Sequence, residues 1–197
     1  MIDKKGILQS LPENLVIELG SGPQKKDPSW LGIDIKDADG VDILGDVFEV
    51  LPHFPDSCAN EIHAYHFLEH ITDIEGLLKM LHRILKPGGK MHIVVPHFSN
   101  PYFYSDPTHK HFFGIYSFSY LVEEKIWQHR VPCYYSLPGM CVSSIKLKFS
   151  SPLYINRPFR WLQQVIFNSF NLMKEWYEDS WSRAFPCYEI QFIIQKK

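Results

Sequence analysis

Two imidazoles and a carboxylate stand at i, i+3 and i+4 in His66-Phe-Leu-Glu-His70, so a helix at this point would present His66, Glu69 and His70 on one face. Such a face can ligate a divalent cation, or it can cap and brace its own helix, and the spacing permits both. An imidazole-rich ligand set favours zinc, iron or nickel over magnesium, which prefers oxygen donors. Three further histidines, His97, His109 and His111, follow the next apolar run. Without a metal, His109 or His70 is the leading candidate for a general base, with Asp106 as an orienting carboxylate.

A second concentration of chemistry lies near the start. In Val16-Ile-Glu-Leu-Gly-Ser-Gly-Pro23 an apolar run ends in glycines that let the backbone turn sharply and approach a ligand. A dinucleotide fingerprint would need a third glycine opening a helix, and Pro23-Gln-Lys-Lys-Asp-Pro28 stands there instead. A nicotinamide oxidoreductase is therefore disfavoured. Asp34 ends the next apolar run, where its carboxylate can accept hydrogen bonds from both hydroxyls of a ribose or can cap a helix. Asp46 follows the third run, within reach of an adenine amino group.

These residues need a scaffold of strand ends. Apolar runs at 15–19, 31–35, 41–44, 61–65 and 90–96 alternate with turn signals, the rhythm of a parallel α/β sheet. Ile74, Leu77, Leu78, Leu81 and Leu85 recur at helical spacing within 73–86, and Lys86-Pro-Gly-Gly89 ends that helix. Residues 97–139 are crowded with Phe and Tyr and read as an inserted cap that recognises substrate. A strand at 142–149, a helix over 158–179 and a closing strand at 187–195 suggest a final antiparallel hairpin. In that helix the polar residues Gln163, Gln164, Asn168, Glu175, Glu178 and Asp179 leave Lys174 as the basic member of the face. This suits anionic lipid poorly and favours packing over the sheet or a homodimer contact.

A chain of 197 residues fits one domain, spanning 1–197. Its 20 Lys and Arg nearly balance 22 Asp and Glu, and basic residues cluster in nothing longer than pairs such as Lys4-Lys5 and Lys25-Lys26, so a nucleic-acid partner is disfavoured. Cys58, Cys133, Cys141 and Cys187 are far apart with no paired spacing, as expected of a cytosolic protein without a zinc knuckle or disulfide frame. Neither a signal peptide nor a membrane span is apparent.

The strings Glu18-Leu-Gly-Ser-Gly-Pro23, Trp30-Leu-Gly-Ile-Asp34, His66-Phe-Leu-Glu-His70, Leu85-Lys-Pro-Gly-Gly89, Asp106-Pro-Thr-His109 and Phe185-Pro-Cys-Tyr-Glu-Ile-Gln-Phe-Ile-Ile-Gln-Lys196 resemble the class I S-adenosylmethionine-dependent methyltransferases. The likeness is strongest to short-form, type 11-like members often encoded with glycan-biosynthesis enzymes. It implies a Rossmann-like, mostly parallel sheet of seven strands with the last antiparallel, and helices on both faces. It further implies methyl transfer to an oxygen or nitrogen of a small molecule or sugar unit. Glu18, Gly20, Ser21, Gly22, Asp34, Ile35, Asp46, Val47 and Tyr65 would then bind the cofactor, with Asp34 on ribose and Asp46 on adenine. Only seven residues, 23–29, separate the glycine turn from the second strand, too few for the usual first helix, a deletion the short-form subgroup shares. The 66–70 string also resembles the Glu-x-x-Glu-His element of metal-assisted small-RNA and ubiquinone-pathway O-methyltransferases, with His66 in place of the first Glu. In the RNA enzymes a later histidine completes the site, which implies the set His66, Glu69, His70 and His109. A catalytically silent binding protein on the same fold is the alternative expectation.

Overall fold

The computed structural model describes residues 1–122, 126–127, 132 and 137–197. Cys133 and the parts of the expected cap at 123–125, 128–131 and 133–136 lie outside the described residues. Eight strands form one sheet: β1 (Ile2–Asp3), β2 (Leu15–Leu19), β3 (Leu31–Asp34), β4 (Ile43–Leu44), β5 (Ala59–Tyr65), β6 (Leu85–Pro96), β7 (Met140–Lys148) and β8 (Glu189–Lys196). Their spatial order is β1-β4-β3-β2-β5-β6-β8-β7. From β4 to β6 neighbours run parallel, whereas β8 is antiparallel to both β6 and β7. The expected count of seven is thus corrected to eight. The addition, β1, pairs antiparallel with β4 at the edge and is too short to show any alternation in sequence.

Alternation along the central strands sends Ile17, Leu19, Ile33, Ile62, Ile93 and Val95 into the main core. Helix α1 (Val47–Val50) is a single turn capped by Asp46. Helix α2 (Ile74–Ile84) starts at Asp73, whose carboxylate accepts the Gly76 N–H, and buries Leu77, Leu78, Leu81 and Ile84. That interior stripe carries most of its stability, because an isolated helix of this length is marginal in water.

The expected long helix over 158–179 is broken into α3 (Arg157–Phe167), α4 (Asn171–Trp176) and a π-helical turn, Tyr177–Trp181. Asn168 causes the break: its amide side chain accepts the Leu147 N–H at 2.8 Å and donates to the Leu147 carbonyl at 2.7 Å, pinning the chain to β7. Phe170 then becomes extended. Within the described part of 97–139, Phe113, Ile115 and Phe118 join the main core, while Tyr102, Tyr104, Phe112 and Tyr120 are exposed.

No helix fills the short connection between β2 and β3. Side chains hold it instead: the buried Glu18 accepts the Lys26 N–H at 2.9 Å, and Lys25 donates to the Trp30 carbonyl and to Asp42. Asp42 is buried, also pairs with Lys5, and accepts the Gly32 N–H at 2.9 Å. Burial works to raise its pKa, but the Gly32 bond and the two ammonium groups outweigh this and hold it below the ordinary carboxylate value. Such a group stabilises the fold above its unfolded pKa, and the contribution is lost as pH falls through the folded one. Asp42→Ala is expected to cost about 3 kcal/mol at neutral pH, since it strands the mostly buried Lys25. In urea titrations, the gap to the wild type should close as the pH is taken below about 4.

Candidate active site

The carboxyl ends of β2, β3, β4 and β5 open on a cleft of about 640 Å³, within the usual range for small-molecule sites. One wall is formed by Gly20, Asp34, Ile35, Asp46 and Val47. The other is formed by His66, Phe67, His70, Ile71, Asp106 and Thr108. Such a crevice beyond the strand ends is where open α/β sheets bind ligands.

Gly20 has φ +67, a left-handed conformation, and an added Cβ would lie 2.7 Å from Phe67 Cδ2. Asp34 accepts the Gly22 N–H at 3.0 Å on one oxygen and the Lys36 N–H at 2.8 Å on the other. Each oxygen keeps a second lone pair for a ligand hydroxyl. Asp46 caps α1 by accepting the Phe48 N–H at 2.8 Å and still borders the cleft. Glu18, Ser21 and Gly22 shape the turn without lining the cleft. Burial raises the pKa of Glu18 against the pull of Lys26 and Lys25.

Tyr65 is not a lining residue. Its hydroxyl contacts His63 Nδ1 at 3.0 Å, and Lys26 lies over its ring, so β5 turns it toward the face covered by the β2–β3 connection. Glu61, His63 and His92 share that face, with Trp30 stacked on His63. Burial lowers the pKa of both histidines, although Glu61 opposes it.

Residues 66–70 do not form the continuous helix their spacing suggested. His66 adopts φ 51, a left-handed conformation that non-glycine residues seldom hold, and a 3-10 turn covers only Leu68–His70. His66 therefore points to Glu189 at 3.2 Å and to Glu69 at 3.5 Å. The hydrogen bond to Glu189 first, and the Glu69 carboxylate beside it, raise its pKa to about 9. The structure instead gathers Glu69, His70 and His109, with one ligand atom from each lying within 4.8 Å of the others.

Hydrogen bonds define how the two gathered imidazoles are presented. The Thr108 hydroxyl donates to Asp106 at 2.6 Å and so can only accept from His70 Nδ1 at 2.9 Å. The side-chain and backbone bonds of Thr108 hold Asp106 below the usual carboxylate pKa, so it remains an acceptor. His109 Nδ1 donates to the Phe103 carbonyl at 2.9 Å. Both rings therefore carry a proton on Nδ1, which in the neutral tautomer leaves Nε2 as the nitrogen that can accept a proton or bind a cation; His109 Nε2 also lies 3.7 Å from the Asp106 carboxylate. Glu69 is fully buried, and neither carboxylate oxygen has a hydrogen-bond partner among the described residues. A buried carboxylate in that condition is costly unless a cation meets it; His66 stands 3.5 Å away on one side, and an ion held with His70 and His109 would meet it on the other. The donor set thus fits a divalent ion. Thr108 was missed as a site residue, although Asp-x-Thr is a local turn signal.

This sheet order, with its antiparallel penultimate strand and acidic residues at successive strand ends, defines a Rossmann-like methyltransferase fold. The chain belongs to the methyltransferase domain family, which matches residues 9–125, and it is an S-adenosylmethionine-dependent methyltransferase. A SAM-dependent methyltransferase from Archaeoglobus fulgidus aligns at 16% identity over 98% of this chain and 92% of its own, with a TM-score of 0.56. One from Mesorhizobium loti aligns at 13% identity over 99% and 98%, with a TM-score of 0.53. A Haemonchus contortus phosphoethanolamine N-methyltransferase, in complex with phosphomonomethylethanolamine and S-adenosylhomocysteine, aligns at 14% over 97% of this chain but 51% of its own, with a TM-score of 0.51. At these identities the likeness is one of fold. No curated protein sequence matches the chain.

Proposed function

We propose that the cleft binds S-adenosylmethionine through Gly20, Asp34, Ile35, Asp46 and Val47, and that the acceptor is an oxygen or nitrogen of a small molecule or sugar unit. The observation that carries this reading is that Gly20, Asp34 and Asp46 line the same cleft as His70, Asp106 and Thr108. The cofactor supplies a methyl group already activated on a sulfonium. The protein then has to align the acceptor, exclude water and remove a proton. His70 is suited to the last task, because its bare Nε2 is fixed by the Thr108–Asp106 chain behind it. Glu69, His70 and His109 would hold a divalent ion of the zinc, iron or nickel kind, which would polarise an acceptor hydroxyl.

Acceptor recognition is assigned to the aromatic segment. Phe98, Phe112, Tyr116 and Tyr120 border a second cavity of about 650 Å³, whose lining includes Thr72 and His111, close in sequence to Ile71 and Thr108 of the first. Rings of this kind stack on sugar faces and aromatic acceptors alike. The short-form resemblance supports the sugar unit. Isothermal titration with S-adenosylmethionine and its demethylated product tests the cofactor assignment. Wild-type protein should bind both, and Asp34→Ala should bind at least roughly tenfold more weakly, the scale of a lost charged hydrogen bond. Unchanged affinity in the variant would remove Asp34 from the site.

A further inference from the structure

Between residues 125 and 174 the chain has seven Lys or Arg and no Asp or Glu, whereas the rest carries thirteen against twenty-two. An acid-free run of this length concentrates positive charge in one part of the chain. Overlapping its end, residues 153–176 hold eleven of the eighteen large hydrophobic side chains exposed among the described residues. They include Tyr154 at 75%, Ile155 at 86% and Trp161 at 66% exposure, with Phe159, Ile166 and Trp176 beside them. Of α3, only Gln163 and Phe167 are buried, so the helix lies on the surface with nearly its whole circumference uncovered.

The structure also narrows the objection that acidic residues line this face to Asp179, which is exposed. Glu175 is buried and accepts from the Tyr116 hydroxyl at 2.9 Å, and Glu178 turns inward to the Ile115 N–H and His97. Lys174 is buried too. Among the described residues of this run the exposed cations are Arg157, stacked 4.0 Å over the Tyr154 ring, and, on the neighbouring edge strand, Lys146 and Lys148, the latter paired with Glu189. Broad apolar faces with Trp and Tyr among aliphatics and basic residues at the rim are those of helices that lie in a bilayer interface. A second copy of this chain would fit less well, because a two-fold contact would set this face against itself with Asp179 as its one exposed carboxylate among the described residues of 153–179.

We infer that the α3–α4 face docks on an anionic lipid bilayer, in the plane of the interface. No helix among the described residues is long and apolar enough to cross a membrane, so the attachment is peripheral. The net negative remainder of the chain would be repelled from the same surface, which would orient the protein with this face down.

Flotation of the full chain with vesicles tests this without any cofactor. On equimolar phosphatidylglycerol and phosphatidylcholine the protein should float and its tryptophan emission shift to the blue. On phosphatidylcholine alone, or in high salt, binding should fall by about tenfold or more. Trp161→Glu with Ile166→Glu should reduce partitioning at least roughly tenfold, and Arg157→Glu should reduce it only on the anionic vesicles. Titration with S-adenosylmethionine reports whether each variant is folded, since none of these residues borders the cleft. Wild-type protein that floats with neither vesicle, or a dimer in sedimentation velocity that the double variant dissociates without vesicle binding, would overturn the inference.

Discussion

Gly20→Ala is expected to weaken S-adenosylmethionine binding by more than roughly tenfold, whereas Gly22→Ala should leave most of the affinity in place. Both glycines hold positive φ, +67 and +57, so alanine at either costs about 1 kcal/mol of backbone strain. That alone lowers the melting temperature by roughly 2–4 °C in a domain of this size. The surroundings then separate them. A methyl on Gly22 meets nothing within 4 Å, but one on Gly20 would lie 2.7 Å from Phe67 Cδ2. Phe67 lines the cleft, and displacing its ring changes the wall against which the cofactor is held. Calorimetric titration of the two variants, with thermal denaturation alongside, should show similar losses of stability and very different losses of affinity. Equal affinities would mean that the Gly20–Phe67 contact does not shape the cofactor site.

What the sequence made legible are features with a local cause. Apolar alternation located β2, β3, β5 and β6, and acidic residues at the ends of short strands pointed to the side of the sheet where the cleft opens. Glu18 lies within that pattern yet turns out to anchor the β2–β3 connection, because a strand position alone does not tell whether a carboxylate faces ligand or protein. Tyr65 is the same case: one residue of strand phase separates the cleft from the His63 face. His66 escaped prediction for a different reason, since its left-handed backbone is imposed by the chain around it and has no glycine or asparagine to announce it. The interruption at Asn168 depends on β7, and a helical pattern cannot register a partner distant in sequence. For the same reason the inward turn of Glu175 and Glu178 was invisible, and the α3–α4 face exposes fewer carboxylates than the sequence suggests.

Glu69→Leu separates the two accounts of the histidine cluster by the sign of its effect. If Glu69, His70 and His109 hold a cation, the variant loses the metal, melts at lower temperature and transfers methyl about a hundredfold more slowly or worse, the least expected when a ligand rather than its support is removed. If no cation is held, the wild type keeps a buried carboxylate that no hydrogen-bond donor among the described residues satisfies, paired with His66 at 3.5 Å. Leucine of similar volume would then relieve an unfavourable burial, and the melting temperature would stay level or rise, as it does when buried charges give way to packed apolar groups. The His66–Glu189 pair would survive the change, because its 3.2 Å contact does not involve Glu69. Elemental analysis of purified wild type and variant, thermal denaturation before and after chelation, and methyl transfer measured on both complete the comparison. We expect about one metal per chain in the wild type, none in Glu69→Leu, and a lower melting temperature. A metal-free wild type with a more stable variant would leave His70, steadied by Thr108 and Asp106, to act as a base alone, since its bare Nε2 depends on those two partners and not on Glu69.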